Sequence, residues 1–389
     1  MNLKVLIVSA LFFNLCVSIA AFGQKETIEK TLDRKEAVAH LRFLASDELK
    51  GRDAIRPEID IAARYIADQF WRYGAKELGG LDGFYQTVPF QAVSLPTLGK
   101  ITLGDSSFIH GEDMVILEGA DMEGSFPLVL AGYGMEEDLN SLDLNGKVVV
   151  AKIGAPGLND PSKIIALGKE KRTLAHKKGA AGLIELVNLP EIHWRSLANY
   201  LNRPRLSIDL NPDEPSAGIP HAYVSDPSNH LLSGIDANKT THAGLEIVGM
   251  QSRKIRGKNV VALIEGSDPN LKDEFVMLSA HYDHIGVGEP NAQGDSIYNG
   301  ARDNAVGTVA LINAAKYFLQ HPPKRSLLLC AWTAEEKGLL GSAYFADNPP
   351  LPLDQIIYNL NIDNAGYNDT SIVTVIGLGR TSGDEMIEK

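Results

Sequence analysis

The stretch of sequence that decides the fold is FVMLSAHYDHIG, residues 275–286. Its first half, Phe275–Ala280, is an apolar run, and its second half begins with the polar residues His281, Tyr282, Asp283 and His284. Apolar runs of this length indicate strands that are buried on both faces, as in parallel sheets covered by helices. We therefore predict a buried strand that ends at a group of ionisable side chains.

The same pattern recurs further along the chain. Two more apolar runs, Ser326–Trp332 and Ile356–Ile362, alternate with two helical patterns, Ala305–Leu319 and Leu339–Ala346. Short buried strands that alternate with helices predict an α/β fold with a mixed, mainly parallel sheet and helices on both faces. In such sheets, ligands bind beyond the carboxyl ends of the strands.

Each predicted strand is followed by residues that can bind metal ions. These residues are His281 after the first strand, Glu335 and Glu336 after the second, and Asp363 after the third. A further acid, Asp303, lies in the small-residue turn GARDNAVG (300–307) that opens a helix. One imidazole and several carboxylates suit Zn²⁺, and two ions lie about 3.5–4 Å apart when a carboxylate bridges them. Each residue alone has a structural explanation, so the prediction of a metal site depends on the whole set.

The adjacent glutamates predict a division of roles. Consecutive side chains point to opposite sides of a strand and diverge by about 100° in a helix, so both glutamates do not bind one ion comfortably. We predict that Glu336 binds metal and that Glu335 is the general base that takes a proton from water. Asp283 is predicted to accept the free ring N–H of His281 and so to fix its tautomer.

Four motifs resemble those of the secreted co-catalytic zinc aminopeptidases, a family related to glutamate carboxypeptidase and glutaminyl cyclase. The motifs are HYDHIG (281–286), GARDNAVG (300–307), TAEEKGLLGS (333–342) and NLNIDNAGY (359–367). The resemblance implies two zinc ions bridged by Asp303, with His281 and Asp363 completing one site and Glu336 belonging to the other. It also implies a cis peptide bond between Asp303 and Asn304. Arg302 departs from the pattern, because many relatives carry an acid there.

The resemblance places one more zinc-binding histidine well beyond Asp363, but the last of the ten histidines is His321. A catalytic zinc normally has three protein ligands. We therefore expect the second zinc site to be incomplete in this chain and the chain to be truncated at its C-terminus. His284 could substitute for the missing histidine, but the family does not use it as a ligand.

The resemblance also predicts the domain organisation. Residues 24–114 and 253–389 are expected to form the peptidase domain, and residues 115–252 a smaller, β-rich protease-associated domain inserted into it. The insert is indicated by the motifs LNGKVVVAKIG (144–154) and AHKKGAAGLIEL (175–186). Between Pro190 and Pro220, Pro, Asn, Asp and Ser cluster, so we predict mostly loop there.

Composition and the N-terminus limit the other functions. The 389 residues are 44% hydrophobic and carry a net charge of −12 without a basic stripe, so we expect a folded protein with no nucleic-acid partner. Residues 1–23 contain a basic start, an apolar run and small residues, a layout typical of a secretory signal peptide, with a membrane anchor as the alternative. We thus predict a secreted or periplasmic protein, without stable membrane insertion, whose only remaining cysteine is Cys330.

Together these features predict a zinc-dependent metallopeptidase that acts on peptides, most simply an aminopeptidase that releases N-terminal residues through metal-activated water. Two alternatives stay open. The first is a carboxypeptidase or dipeptidase on the same fold. The second is a non-catalytic, peptidase-like binding protein, which the incomplete second site would favour.

Overall fold

The computed structural model of the protein describes residues 28, 30–209, 218–234 and 242–365. The chain divides into two compact units. The first unit comprises Met1–Val88 and Arg256–Lys389, and the second comprises Pro89–Ile255. The predicted signal peptide, residues 1–23, lies outside the described residues and stays a prediction. Among the described helices, none combines the length and the apolar character needed to cross a membrane.

Helices and strands alternate through much of the described chain. The helices are α1 (Arg34–Leu44), α2 (Glu58–Tyr73), α3 (Glu136–Leu139), α4 (Pro161–Lys177), α5 (Glu191–Leu201), α6 (His230–Gly234), α7 (Val306–Gln320) and α8 (Leu340–Asp347). The strands are β1 (Tyr85–Val93), β2 (Leu98–Leu103), β3 (Ser106–Ile109), β4 (Met114–Glu118), β5 (Met122–Leu130), β6 (Val148–Lys152), β7 (Gly182–Val187), β8 (Arg205–Ile208), β9 (His221–Ser225), β10 (His242–Val248), β11 (Ser252–Ile264), β12 (Phe275–His281), β13 (Gly286–Val287), β14 (Ile297–Tyr298), β15 (Ser326–Trp332) and β16 (Ile356–Asn361).

The sheet of the first unit is mixed. Within this unit, its strands follow the order β16-β12-β15-β11-β1. The central strand β12 pairs in parallel with both β15 and β16, whereas β15 pairs antiparallel with β11. The three strands predicted from apolar runs are therefore adjacent, and the predicted α/β fold with a mixed sheet is confirmed.

Helices cover both faces of this sheet. Strand β15 is buried along its whole length, and its side chains point alternately into two hydrophobic cores. Leu327, Leu329 and Ala331 pack into the core that α2 and α7 line. Leu328, Cys330 and Trp332 pack on the opposite face, together with Phe345 of α8. A strand with two apolar faces cannot be stable at a water-exposed surface, so its sequence requires both helical layers.

The second unit contains a separate mixed sheet, in the order β3-β2-β10-β5-β6-β7-β9-β4. Strand β2 pairs antiparallel with both β3 and β10, which ties residues 98–109 to this sheet. The unit therefore begins at Pro89, whereas the sequence predicted an insert that starts at residue 115. The identity of this unit as a protease-associated domain stays a prediction.

The predicted loop between Pro190 and Pro220 was wrong for most of its described residues, because this segment contains α5 and β8. Trp194, Ala198 and Leu201 recur at helical spacing and are buried in one cluster with residues of β4. The indole N–H of Trp194 also donates to the backbone carbonyl of Glu112 at 2.7 Å. Turn-forming residues flank α5, but burial of its apolar face stabilises the helix.

The second unit buries a group of charged side chains. The Lys171 ammonium lies 2.7 Å from one oxygen of Glu185, and the His221 ring lies 2.8 Å from the other. Burial alone would raise the pKa of Glu185, but the contacts with His221 and Lys171 outweigh burial and lower it. A buried carboxylate of this kind depends on its partners, because an unpaired charge in the protein interior is strongly unfavourable.

We expect Lys171→Met to lower the free energy of unfolding by about 3–5 kcal/mol, since it leaves Glu185 buried without its cation. The matched control is Lys147→Met, which breaks a 3.0 Å pair with the largely exposed Asp143 and should change stability by less than about 1 kcal/mol. Urea unfolding followed by circular dichroism measures both variants. Equal losses in the two variants would contradict the importance of the buried pair.

Candidate metal centre

The carboxyl ends of three neighbouring strands bring the predicted ligands together. His281 is the last residue of β12 and pairs with Trp332, the last residue of β15. Strand β16 ends at Asn361, two residues before Asp363, and the Ile362 N–H donates to the Ser279 carbonyl of β12 at 2.8 Å. The parallel arrangement therefore places groups from distant parts of the sequence at one edge of the sheet.

Three carboxylates surround the Nε2 atom of His281. This nitrogen lies 3.1 Å from an oxygen of Asp303, 3.3 Å from an oxygen of Asp363 and 3.8 Å from an oxygen of Glu335. The imidazole is buried, whereas 28% to 38% of each carboxylate side chain is exposed. The group is thus anchored at its base and open to solvent on its acidic side.

Asp303 reaches this group from the turn that opens α7. The cis peptide bond expected between Asp303 and Asn304 is present. The buried Asn304 amide donates to the Ile362 carbonyl at 2.8 Å and accepts the Gly307 N–H at 3.1 Å. A Cβ atom at Gly307 would lie 2.5 Å from the Asn304 oxygen, so only glycine fits there. The turn is therefore held against the end of β16, beside Asp363.

A second group of donor atoms shares Asp303. The ligand atoms of His284, Asp303 and Glu336 all lie within 4.8 Å of one another, as do those of His281, Asp303 and Asp363. The Nδ1 atom of His284 lies 2.7 Å from an oxygen of Glu336. From the sequence, His284 was considered only as a substitute for the missing histidine, although the motif HYDHIG puts it three residues after His281. The sequence alone does not show that Glu336 contacts the His284 ring.

Asp283 forms contacts that orient residues of both donor groups. The Nδ1 atom of His281 contacts the backbone carbonyl of Asp283 at 3.2 Å, while the Asp283 carboxylate lies 3.6 Å away. Because a carbonyl only accepts, this contact places a proton on Nδ1 and leaves the Nε2 lone pair for a ligand. The carboxylate instead accepts the backbone N–H groups of Glu335 and Glu336, at 3.0 and 3.2 Å. Asp283 thus orients the ring mainly through its carbonyl and the glutamates through its side chain.

The acids govern the electrostatics of the centre. Burial alone would lower the pKa of His281, but the nearby Asp283 carboxylate, with the charges of Glu335 and Asp363, raises it to about 9. The pKa of Glu335 is also raised, first by burial and then by the neighbouring acids, against the opposing effect of His281. The centre therefore favours cations and holds a carboxylate that accepts protons more readily than usual.

These residues fit divalent metal ions. One oxygen of Asp303 is buried, has no hydrogen-bond partner among the described residues and lies 3.1 Å from His281 Nε2. A tetrahedral ion with bonds of about 2.0 Å separates its ligand atoms by about 3.3 Å, which matches the spacing around His281. A mixture of imidazole and carboxylate donors is the set that zinc binds in catalytic sites. The predicted ligands His281, Asp303, Glu336 and Asp363 are therefore brought together, but their roles stay predictions.

Part of the chain matches a known peptidase family. Residues 259–388 match peptidase family M28. The chain is 33% identical over 153 residues to the vacuolar membrane protease of Lachancea thermotolerans, covering 38% of this chain and 14% of that protein. It is 30% identical over 268 residues to leucine aminopeptidase 2 of Arthroderma otae, covering 66% of this chain and 47% of the relative. The chain thus spans less than half the length of each of these relatives.

A solved structure has the same fold. The aminopeptidase from Aneurinibacillus sp. strain AM-1 superposes with a TM-score of 0.56 at 21% identity, covering 88% of this chain and 73% of that chain. This similarity extends beyond the residues that match the family.

The two donor groups predict two zinc ions. Because Asp303 belongs to both groups, we expect Asp303→Ala to abolish metal binding at both. Asp363 belongs to one group only, so Asp363→Ala should remove about one equivalent of zinc and leave the other. Elemental analysis after zinc loading and gel filtration measures the ratio of metal to protein. Equal losses in the two variants would contradict a shared Asp303, and Asp295→Ala, in an exposed loop, is the control.

Proposed function

We propose that this chain, which carries a peptidase family M28 domain over residues 259–388, is a zinc-dependent aminopeptidase. The observation that carries the proposal is the shared position of Asp303 between two groups of metal-type donor atoms at the carboxyl edge of the sheet. An isolated acidic cluster would not have this arrangement around a buried imidazole. The donor group of His281, Asp303 and Asp363, with Glu335 beside it, weighs against a non-catalytic binding protein.

In this proposal, His281, Asp303 and Asp363 would hold one zinc ion, and Asp303 and Glu336 would hold the other. His284 donates to Glu336 and orients it, as a partner of a ligating carboxylate does. When bound, zinc supplies Lewis acidity, which lowers the pKa of water and polarises the peptide carbonyl. The chain's own residues supply the proton transfers and the geometry.

Glu335 is the general base. Its oxygen lies 3.8 Å from His281 Nε2, so it faces the same space as the donor groups, and Asp283 holds its backbone N–H. A raised pKa suits this role, since a general base works best when its pKa approaches the working pH. Glu335 accepts a proton from the attacking water and then donates it to the leaving amine nitrogen.

We expect Glu335→Gln to keep the bound zinc and to lose about 10²–10⁴-fold in kcat, because the amide cannot accept the proton. The matched control is Glu137→Gln, an exposed glutamate of α3, which should leave kcat unchanged. Hydrolysis of a leucine anilide and elemental analysis of the same samples measure the two effects. Loss of zinc in Glu335→Gln would instead make Glu335 a ligand.

An aminopeptidase needs a free amine at the N-terminus of its substrate, whereas a carboxypeptidase needs a free carboxylate at the C-terminus. We expect release of the N-terminal residue from a short peptide with a free amine, and no cleavage when the amine is acetylated. Mass spectrometry of the products measures which end is shortened. Cleavage of the acetylated peptide with loss of its C-terminal residue would replace the aminopeptidase proposal by the carboxypeptidase alternative.

A further inference from the structure

A buried arginine contacts the backbone beside the residues of the proposed metal centre. Arg52 ends the short 3-10 turn Asp47–Arg52 and is fully buried. Its backbone adopts a φ of 51°, which is unfavourable for residues other than glycine and persists only where the surroundings fix it. Neither the proposed ligands nor the general base explains why a guanidinium is buried at this position.

The guanidinium of Arg52 donates to four backbone carbonyls. Its Nε atom donates to Tyr282 at 2.7 Å, and its two terminal nitrogens donate to Asn299 at 2.7 Å and to Gly300 at 2.8 Å. One terminal nitrogen also donates to the Leu44 carbonyl. Arginine is the only side chain with enough donors, in a fixed fork, to satisfy acceptors in several directions at once.

Three of these four carbonyls belong to the two segments that carry His281 and Asp303. Tyr282 lies between His281 and Asp283 in the sequence. Asn299 and Gly300 begin the turn that leads to Asp303. One side chain therefore connects the segment that carries the imidazole to the segment that carries the shared carboxylate.

The atoms packed around Arg52 leave its guanidinium group little room to move. A Cβ atom on Gly51 would lie 2.6 Å from the Gly286 carbonyl oxygen, and one on Gly300 would lie 2.7 Å from an Arg52 nitrogen. Burial lowers the pKa of Arg52 to about 10, against the charges of Asp283, Asp303 and Glu336. Burying a cation is unfavourable unless its donors are satisfied, so the four hydrogen bonds are needed for it to remain there.

We propose that Arg52 is a positioning residue of the metal centre, whose guanidinium fork holds the Tyr282 and Asn299–Gly300 backbones at the separation that lets His281 and Asp303 bind one ion. The inference rests on the proposed function, because it assumes that these residues bind metal. It assigns Arg52 no contact with substrate. Its effect passes through the backbone to the ligands.

The test compares Arg52→Lys, Arg52→Met and the control Arg64→Lys, whose exposed guanidinium pairs with Asp68. Each metal-free full chain is titrated with Zn²⁺, and the visible spectrum of bound Co²⁺ reports ligand geometry. We expect Arg52→Lys to keep the fold, to lose at least tenfold in zinc affinity and to shift the Co²⁺ spectrum, because lysine keeps the charge but not the fork. Arg52→Met should lose at least as much, and Arg64→Lys should match the wild type.

Wild-type affinity and an unchanged Co²⁺ spectrum in Arg52→Lys would overturn the proposal, because charge alone would then suffice. Loss of the fold in both variants, seen by circular dichroism, would also overturn it, since Arg52 would then be a general core residue. A wild-type chain that binds zinc but cleaves no peptide would remove the proposed function and leave the Arg52 comparison intact. A wild-type chain that binds no zinc would overturn both.

Discussion

The mutual repulsion of carboxylates around one imidazole is the constraint on which the first unit depends. Five acids are drawn to the carboxyl edge of the sheet near His281, namely Asp283, Asp303, Glu335, Glu336 and Asp363. Like charges at such distances oppose folding unless other interactions hold them. The holding contacts are hydrogen bonds of the backbone and of neutral side chains, such as the amide of Asn304 between α7 and β16 and the hydroxyl of Thr308 on the His281 carbonyl. These contacts to the backbone form a frame around the acids, and the negative charge is concentrated inside it.

The local pattern of apolar residues was sufficient to predict the strands that lead to the metal centre. Phe275–Ala280, Ser326–Trp332 and Ile356–Ile362 were predicted as strands from apolar runs, and each is a strand with bounds within one residue. The prediction succeeded because a strand covered on both faces must be apolar throughout, and this requirement is visible in the sequence itself. The candidate residues His281, Glu335 and Asp363 were identified for the same reason, since each is the first ionisable residue after such a run.

Contacts between distant segments could not be predicted in this way. Arg52 lies 248 positions before Gly300, and no periodicity or spacing indicates that they meet. The start of the second unit was placed too late because β2 joins its sheet through β10, which lies more than 130 residues further along the chain. The helix α5 was missed because Pro and Asn near its ends outweighed the apolar spacing of Trp194, Ala198 and Leu201. In the first two cases the deciding interaction is tertiary, and the local sequence pattern does not show it.

The two units handle buried charge in opposite ways, and the contrast shows where a cation is required. In the second unit, Glu185 has Lys171 on one oxygen and His221 on the other, so the charge is balanced within the chain. In the first unit, the acids around His281 outnumber the nearby cations, and the hydrogen bonds of Arg52 are directed to carbonyls rather than to these carboxylates. Had Arg52 paired with Asp303, the carboxylate would be neutralised and unavailable as a ligand. By binding the backbone instead, the arginine stabilises the frame and leaves the negative charge for ions from solution.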